Sequence, residues 1–295
     1  MKKYLNGKIW NGQGYNIKGK NEFTINEGKG YVKEYNSENG ELLFEGEYLN
    51  SVRNGKGKEY YYNCYLKFEG EYLNGERNGK GKEYYYDIYS ELKFEGEYLN
   101  GKIWNGQGFN LKGKKNFTIN EGKGYVKEYN IETGELLFEG EYSNGEKNGK
   151  GKEYHDNGKL KFEGEYLKGE RIGKGKEYHY KGNIIFEGEY LNGVRNGKGK
   201  EFLNWNIDFE GEYLNGKRNG KGKEYYVSHK KIKFMGKYLN ELRNGKGKEY
   251  HYKGKLRFEG EYLNGKKIGK GKEFYQNCNI KYEGEYLNGE RNGKE

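Results

Sequence analysis

The sequence contains no proline and only two cysteines, Cys64 and Cys278. Because proline interrupts strand pairing, its absence leaves long stretches free to form a sheet. Two cysteines are too few for the disulfide framework of a secreted protein. The start, MKKYLNGKIW, has no apolar run behind its lysines, and no stretch approaches membrane-spanning length. The sequence therefore predicts a cytoplasmic protein.

Residue types that carry catalysis are scarce, or they recur too often. The chain has five serines, three aspartates and four histidines. His155, His179 and His251 are in phase, 24 and 72 residues apart. In-phase positions of neighbouring hairpins lie about 10 Å apart, too far to share a zinc ion. Paired glutamates such as Glu69 and Glu71 recur along the chain, whereas a catalytic pair would occur once. The sequence predicts no enzyme and no catalytic, metal-binding or cofactor-binding residue.

One phrase, FEGEYLNGERNGKGKEYYY at residues 68–86, is repeated along the chain. Its opening aromatic residue recurs at steps of 23 to 26 residues, apart from one step of 44. These aromatic positions are Phe44, Phe68, Phe94, Phe138, Phe162, Phe186, Phe209, Phe234, Phe258 and Tyr282. A period of this size is typical of a repeat array, which has no single core.

The residues within each phrase alternate as in a β-strand. Phe68, Gly70 and Tyr72 share one face, and the glutamates between them share the other. A glycine between two aromatics leaves bare backbone that a neighbouring ring can cover. Asn-Gly residues then predict a turn before the second aromatic run, so each repeat is predicted to be one β-hairpin. The lysines of GKGKE can form columns of charge complementary to these glutamates, but the sequence does not fix the register that would place them opposite each other.

The pattern YxGxYxNGxxxGxGxxxY resembles the MORN repeat (membrane occupation and recognition nexus), and NGKLKFEGEYLKGERIGKGKEY is similar to its bacterial variants. Tyrosine stands where many members have tryptophan. The resemblance implies a non-enzymatic scaffold or attachment module. It also implies an all-β fold without a helical domain, an elongated, single-layer, twisted antiparallel sheet of tandem hairpins.

The predicted domain organisation is one continuous array over residues 1–295, with about a dozen hairpins. Residues 4–97 match residues 98–191 at a constant offset, which indicates an internal duplication. Each copy holds a compressed unit, starting at Gly14 and Gly108, that lacks FEGEY; we predict a shorter hairpin that continues the sheet. Open strand edges at the two ends could pair with a second copy or with a partner, but frayed, solvated ends are the favoured interpretation.

The net charge of +10 lies in the C-terminal repeats, because residues 209–281 carry +11 and the remaining residues −1. At Phe234 the phrase FMGKY replaces FEGEY. The candidate surface for an anionic partner comprises Lys217, Arg218, Lys230, Lys231, Lys233, Lys237, Arg243, Lys253, Lys255 and Arg257. Such a surface could bind anionic lipid headgroups, or it could be a solvated flank. Nucleic acid is the weaker hypothesis, since there are few arginines and no recognisable module.

Trp10, Trp104 and Trp205 are candidate aromatic anchors for a partner. Trp10 and Trp104 precede the compressed units, where packing at an irregular turn and a partner-facing anchor are the two alternatives, and packing is the favoured one. The function we predict is a non-enzymatic scaffold that binds a protein partner. The alternative is a peripheral membrane adaptor that binds anionic or phosphoinositide lipids through residues 209–281.

Overall fold

The computed structural model describes residues 3–5, 8–15, 19, 21–86 and 89–293, with side chains from residue 11 onward. These residues form 26 β-strands and one short 3-10 helix, Tyr62–Cys64, and no α-helix. The predicted all-β fold of antiparallel hairpins is confirmed. None of the described residues forms a helix long and apolar enough to cross a membrane.

The chain divides into two compact units, Met1–Gly149 and Lys150–Glu295, and the boundary falls within one strand. The strands up to that boundary are β1 (Lys3–Leu5), β2 (Lys8–Tyr15), β3 (Asn21–Ile25), β4 (Gly30–Tyr35), β5 (Leu42–Leu49), β6 (Val52–Tyr60), β7 (Leu66–Leu73), β8 (Glu76–Tyr84), β9 (Leu92–Leu99), β10 (Lys102–Phe109), β11 (Lys115–Ile119), β12 (Gly124–Tyr129), β13 (Leu136–Ser143) and β14 (Glu146–Tyr154). In the first unit, β1 to β3 form a three-stranded sheet, β4 to β11 an eight-stranded sheet in sequence order, and β12 pairs with β13.

In the second unit the strands also pair in sequence order. Its strands are β15 (Leu160–Leu167), β16 (Glu170–Tyr178), β17 (Ile184–Leu191), β18 (Val194–Leu203), β19 (Asn206–Leu214), β20 (Lys217–Tyr226), β21 (Lys231–Leu239), β22 (Leu242–Tyr250), β23 (Leu256–Leu263), β24 (Lys266–Phe274), β25 (Ile280–Leu287) and β26 (Glu290–Asn292). Each pairs antiparallel with the next, so neighbours in sequence are neighbours in the sheet.

Paired glycines bring neighbouring strands together under aromatic rings. Gly46 lies opposite Gly57, and a Cβ atom on Gly46 would lie 2.6 Å from the Cα of Gly57 and 2.7 Å from Cζ of Phe44. The ring of Tyr72, from the next hairpin, also covers Gly57 and meets Phe44 edge-on at 5.4 Å between centroids. The predicted packing of rings over bare glycine is therefore confirmed. The core is a column of buried phenylalanines and tyrosines on one face of the sheet.

The Asn-Gly turns of successive hairpins are joined by backbone hydrogen bonds. The N–H of Gly75 donates to the carbonyl of Arg53 (2.8 Å), and that of Gly101 donates to the carbonyl of Arg77 (2.9 Å). The second unit repeats the pattern, for example from Gly193 to Arg171 (3.0 Å). Asn74 and Gly75 both have positive φ, as the tightest hairpin turns require. Each of these turns is therefore held by the hairpin before it.

The compressed unit from Gly108 departs from the predicted continuous sheet. Its two strands, β11 and β12, meet through the isolated bridge between Asn120 and Lys123, while β11 pairs with β10 and β12 with β13. The register places Ile119 and Val126 where other strands have a glycine of the paired column, and both side chains are buried. The predicted short hairpin is present, but the prediction that it continues the sheet was wrong, because branched side chains occupy the positions where glycine lets two backbones pair.

Candidate interaction surfaces

The two faces of each repeat have different chemistry. We call the side with the phenylalanine, glycine and tyrosine columns, represented by Phe68 and Tyr72, the aromatic face. The opposite side, represented by Glu69, Glu71 and Lys82, is the charged face. Phe68 is fully buried, whereas the side chains of Glu69 and Lys82 are 37% and 46% exposed. The charged face is therefore the more accessible side for a partner.

On the aromatic face, side chains of each repeat pack against the repeat before it and form hydrogen bonds with it. The guanidinium of Arg77 stacks on Phe68 at 4.0 Å and donates to both carboxylate oxygens of Glu59, at 3.1 and 2.9 Å. The hydroxyl of Tyr72 donates to the same carboxylate at 2.7 Å. Burial favours a raised pKa for Glu59, but the hydrogen bonds and positive charge of Arg77, together with the hydrogen bond from Tyr72, outweigh it and lower the pKa to about 2.

The same cluster recurs in the second unit, and it includes two residues of the predicted basic surface. Arg218 stacks on Phe209 at 4.2 Å and pairs with Glu201. Arg243 stacks on Phe234 at 4.0 Å and pairs with Glu224 at 2.7 Å. These two guanidiniums are therefore already bound to carboxylates on the aromatic face.

The remaining predicted basic residues lie in several parts of the repeat. Lys233 forms an ion pair with Glu224 at 3.4 Å, and Lys237 lies on the charged face of β21. Lys217 and Lys231 begin strands, and Arg257 lies within β23. Lys230, Lys253 and Lys255 lie in the links between hairpins. The ten predicted residues are thus distributed over two faces and both edges, since Lys217 lies beside an Asn-Gly turn and the link lysines lie at the other end of the strands.

The charged face carries a row in which acid and base alternate from strand to strand. The register sets Glu45 opposite Lys58, Lys58 opposite Glu69, Glu69 opposite Lys82 and Lys82 opposite Glu95. The Lys82 and Glu95 side chains form an ion pair at 3.1 Å. Tyr84 donates its hydroxyl to Glu69 at 2.8 Å. The register therefore places the lysine and glutamate columns opposite each other, which the sequence alone had left open.

A second row on this face binds backbone. The Glu71 carboxylate accepts a hydrogen bond from the N–H of Lys80 at 3.1 Å, and it lies over Gly79, whose φ is +97°. A side chain at Gly79 would collide with this carboxylate, so glycine is required twice, for its backbone angle and for space. Glu47 binds the N–H of Lys56 in the same way at 3.0 Å.

Between the two rows of the first unit lies a groove of about 560 Å³. Backbone at four glycines and charged side chains of both signs form its walls. The lining residues are Tyr31, Glu47, Lys56, Gly57, Lys58, Glu69, Gly70, Glu71, Lys80, Gly81, Lys82, Glu95, Gly96 and Glu97. Within the described residues no group of histidine, cysteine, aspartate or glutamate has the arrangement of a metal site. The chemistry that the groove offers is ion pairing and hydrogen bonding.

The three tryptophans have different settings. Trp104 packs against Gly122 in the turn of the compressed unit, and its carbonyl accepts the N–H of Gly122 at 2.8 Å. Trp205 lies in the tight turn between β18 and β19 with a φ of +67° and is 64% exposed. Trp10 lies outside the described side chains. The packing alternative therefore describes Trp104, and exposure suits Trp205 as an anchor.

Sequence reasoning missed four lysines that share the charged face with Lys237. These are Lys221, Lys223, Lys246 and Lys248, on the strands either side of β21. The GKGK motif occurs in every regular repeat, so its lysines did not stand out. The signal was the exchange of FEGEY for FMGKY, which removes two acids that these lysines would otherwise face.

A family model for the MORN repeat matches eight segments, which together cover more than half of the chain: residues 44–63, 68–87, 138–159, 162–184, 186–205, 209–231, 258–277 and 282–294. The chain belongs to the MORN repeat family. MORN repeats form scaffolds that commonly take part in protein or membrane interaction, and they are generally non-enzymatic. The FMGKY repeat at Phe234 lies between two matched MORN segments.

No curated protein matches this MORN repeat chain. Among solved structures, TcdB2-TccC3-Cdc42 is 10% identical with a TM-score of 0.22, covering 90% of this chain and 16% of that one. The Tc holotoxin pore of Photorhabdus luminescens with the TccC3-D651A mutation is 8% identical with a TM-score of 0.19, covering 97% and 17%. The chain thus spans less than a fifth of these structures, and TM-scores this low support no argument.

Proposed function

We propose that the protein is a non-enzymatic scaffold that binds a protein partner through the groove on the charged face of the first unit. The observation that supports this most directly is the groove itself, about 560 Å³ between two rows of alternating charge. The aromatic face is less suited to binding, because its rings and guanidiniums already contact the neighbouring hairpin.

The alternation of charge favours a protein over a polyanion. Lys58 and Lys82 in the groove are each flanked by glutamates on the neighbouring strands. A membrane or nucleic acid would meet those carboxylates as like charges. A polypeptide that carries acidic and basic side chains can pair with both signs, and complementary charge of this kind gives specificity and a faster encounter.

Charge reversal in the groove tests this proposal. A partner would first be isolated by affinity purification from the native host, and its affinity then measured by calorimetry. The double variant Lys58→Glu, Lys82→Glu should weaken binding by about tenfold or more, since each reversal replaces an attraction by a repulsion. The matched control is Lys176→Glu, Lys200→Glu, at the same ladder positions in the second unit.

The control should bind as the unchanged protein does, and thermal unfolding of both variants shows whether they are folded. Equal affinity for the groove variant and the unchanged protein would overturn the proposal. Cross-links from the partner to the aromatic face would contradict it as well.

The second candidate is a peripheral membrane adaptor, supported by exposed aromatics in the links of the second unit. The ammonium of Lys181 lies 5.8 Å from the ring of Tyr180, and that of Lys253 lies 5.8 Å from the ring of Tyr252. Trp205 is exposed in another link. Aromatic rings beside lysines are typical of the membrane interface.

Sedimentation with lipid vesicles distinguishes the membrane adaptor from the protein-binding scaffold. An adaptor should sediment with phosphatidylserine-containing vesicles at low salt, not with phosphatidylcholine alone, and Trp205→Ala should weaken that binding. Binding that is absent at low salt would exclude the membrane role.

A further inference from the structure

In at least four of the regular repeats that the structure describes, a glutamate carboxylate is bound at the same backbone N–H. It is the second glutamate of FEGEY, and it accepts the N–H of the first lysine of GKGK on the next strand. The pairs are Glu47 with Lys56 (3.0 Å), Glu71 with Lys80 (3.1 Å), Glu189 with Lys198 (2.9 Å) and Glu212 with Lys221 (2.7 Å). The backbone at this point is thus a carboxylate-binding position.

The repeat at Phe234 keeps the backbone and removes the carboxylate. Lys237 stands where the other repeats have glutamate, and Gly245 has the positive φ, +83°, of its counterparts. Only methylene carbons of Lys237 approach Gly245, with Cδ 3.6 Å from where a Cβ would be. Among the described residues, no carboxylate accepts the N–H of Lys246.

The side chains around Gly245 also carry an excess of positive charge. The register sets Lys221 directly opposite Lys237, and like charges that face each other across strands are destabilising. Met235 lies between Lys223 and Lys248, where the other repeats have a glutamate. Neither Lys221 nor Lys237 has an ion-pair partner among the described residues. An acid from outside the chain would relieve this repulsion.

We call the lysines around Met235 the basic patch: Lys221, Lys223, Lys237, Lys246 and Lys248. The basic patch is small and has glutamates on both sides. It spans the three strands β20, β21 and β22, about 10 Å from the first to the third. On one side lie Glu210 and Glu212, and on the other Glu259 and Glu261. These carboxylates oppose a broad polyanionic surface such as a bilayer, whereas a single acidic side chain fits between them.

We infer that this patch binds an acidic side chain of a protein partner, whose carboxylate takes the place of the missing glutamate. The N–H of Lys246 would donate to it, the ammoniums of Lys221 and Lys237 would balance its charge, and Met235 would contact its methylene groups. The inference rests on the proposed role in protein binding, and it adds a second contact outside the groove.

The test uses the full chain labelled with ¹⁵N and N-acetyl-tetraglutamate amide as the probe. Titration should shift the amide resonance of Lys246 among the most strongly affected signals. Lys237→Glu restores the glutamate of the other repeats, so it should keep the fold and weaken peptide binding by at least about tenfold. The matched gain-of-function variant is Glu187→Met, Glu189→Lys, which should create a second site at the N–H of Lys198.

Several results would overturn the inference. These are peptide binding that Lys237→Glu leaves unchanged, an unshifted Lys246 amide, or binding of inorganic phosphate or phosphatidylserine vesicles in preference to the peptide. The groove variant Lys58→Glu, Lys82→Glu should bind the peptide normally. Loss of partner binding in that variant therefore tests the groove alone, and loss in Lys237→Glu tests this patch alone.

Discussion

At the residue scale, one glutamate accepts hydrogen bonds from both the arginine and the tyrosine of the following hairpin. Glu59 accepts hydrogen bonds from both Arg77 and Tyr72, and Glu224 does the same for Arg243 and Tyr238. The side chains of Glu59 and Glu224 are 15% and 16% exposed, so these bonds are poorly screened by water. The cluster ties each hairpin to the one before it.

Acidification is expected to destabilise the protein through these glutamates. Folding lowers the pKa of Glu59 and Glu224 to about 2, from an unfolded value of about 4.3. A carboxylate whose pKa is lowered by folding stabilises the fold above its unfolded pKa, and the contribution disappears as the pH falls to the folded pKa. Each glutamate should therefore lose up to about 3 kcal/mol of stabilisation between roughly pH 5 and pH 2.

Urea unfolding at a series of pH values measures this loss. Glu59→Gln should make the free energy of unfolding less dependent on pH in that window. Glu95→Gln, on the charged face, controls for the substitution itself. An unfolding free energy that is constant from pH 6 to pH 2 would contradict the assignment.

At the scale of the element, the short hairpin β11–β12 depends on packing rather than on a ladder. Its two strands share one isolated bridge, and its turn is held between Trp104 and the next turn, where the N–H of Gly145 donates to the carbonyl of Gly122 at 2.9 Å. The hydrogen bonds from turn to turn are therefore continuous in this part of the first unit, although the strand pairing is interrupted between β11 and β12.

Removing the Trp104 ring should loosen this hairpin selectively. Trp104→Ala deletes the half-buried ring that covers Gly122 and is expected to destabilise the hairpin by about 2 kcal/mol, less than the roughly 3 to 5 kcal/mol of a fully buried tryptophan. Hydrogen exchange measured by mass spectrometry should show faster exchange over residues 115–129. The control is Trp205→Ala, since that exposed ring packs on no such turn. Equal exchange in the two variants would refute the packing role.

At the scale of the whole molecule, repeats of the second unit should be interchangeable, because they make equivalent contacts. Tyr166 and Arg171 bind Glu153, just as Tyr190 and Arg195 bind Glu177. If residues 162–185 are deleted, Phe186 follows Lys161, and Tyr190 and Arg195 can bind Glu153 instead.

That deletion should give a folded protein with a smaller unfolding transition. The slope of the unfolding free energy against urea should fall by about one twelfth, in proportion to 24 of 295 residues. Deleting residues 162–173 should unfold the neighbouring hairpins, because it removes most of β15 and the first four residues of β16, and the remainder of β16 would then run in the wrong direction. A folded half-repeat deletion, or an unfolded whole-repeat deletion, would contradict repeat-by-repeat equivalence.

The sequence by itself determined the hairpins, because alternation and Asn-Gly turns act over a few residues. It also determined the packing of rings over glycine, since FEGEY places both on one face of one strand. Only the tertiary structure decided the partners across strands. Arg77 and Glu59 are 18 residues apart, and their pairing depends on the register between hairpins. The register between β20 and β21 likewise decides that Lys221 faces Lys237. Side-chain volume at the glycine column decides that β11 and β12 share only one bridge, because Ile119 and Val126 stand where other strands have glycine.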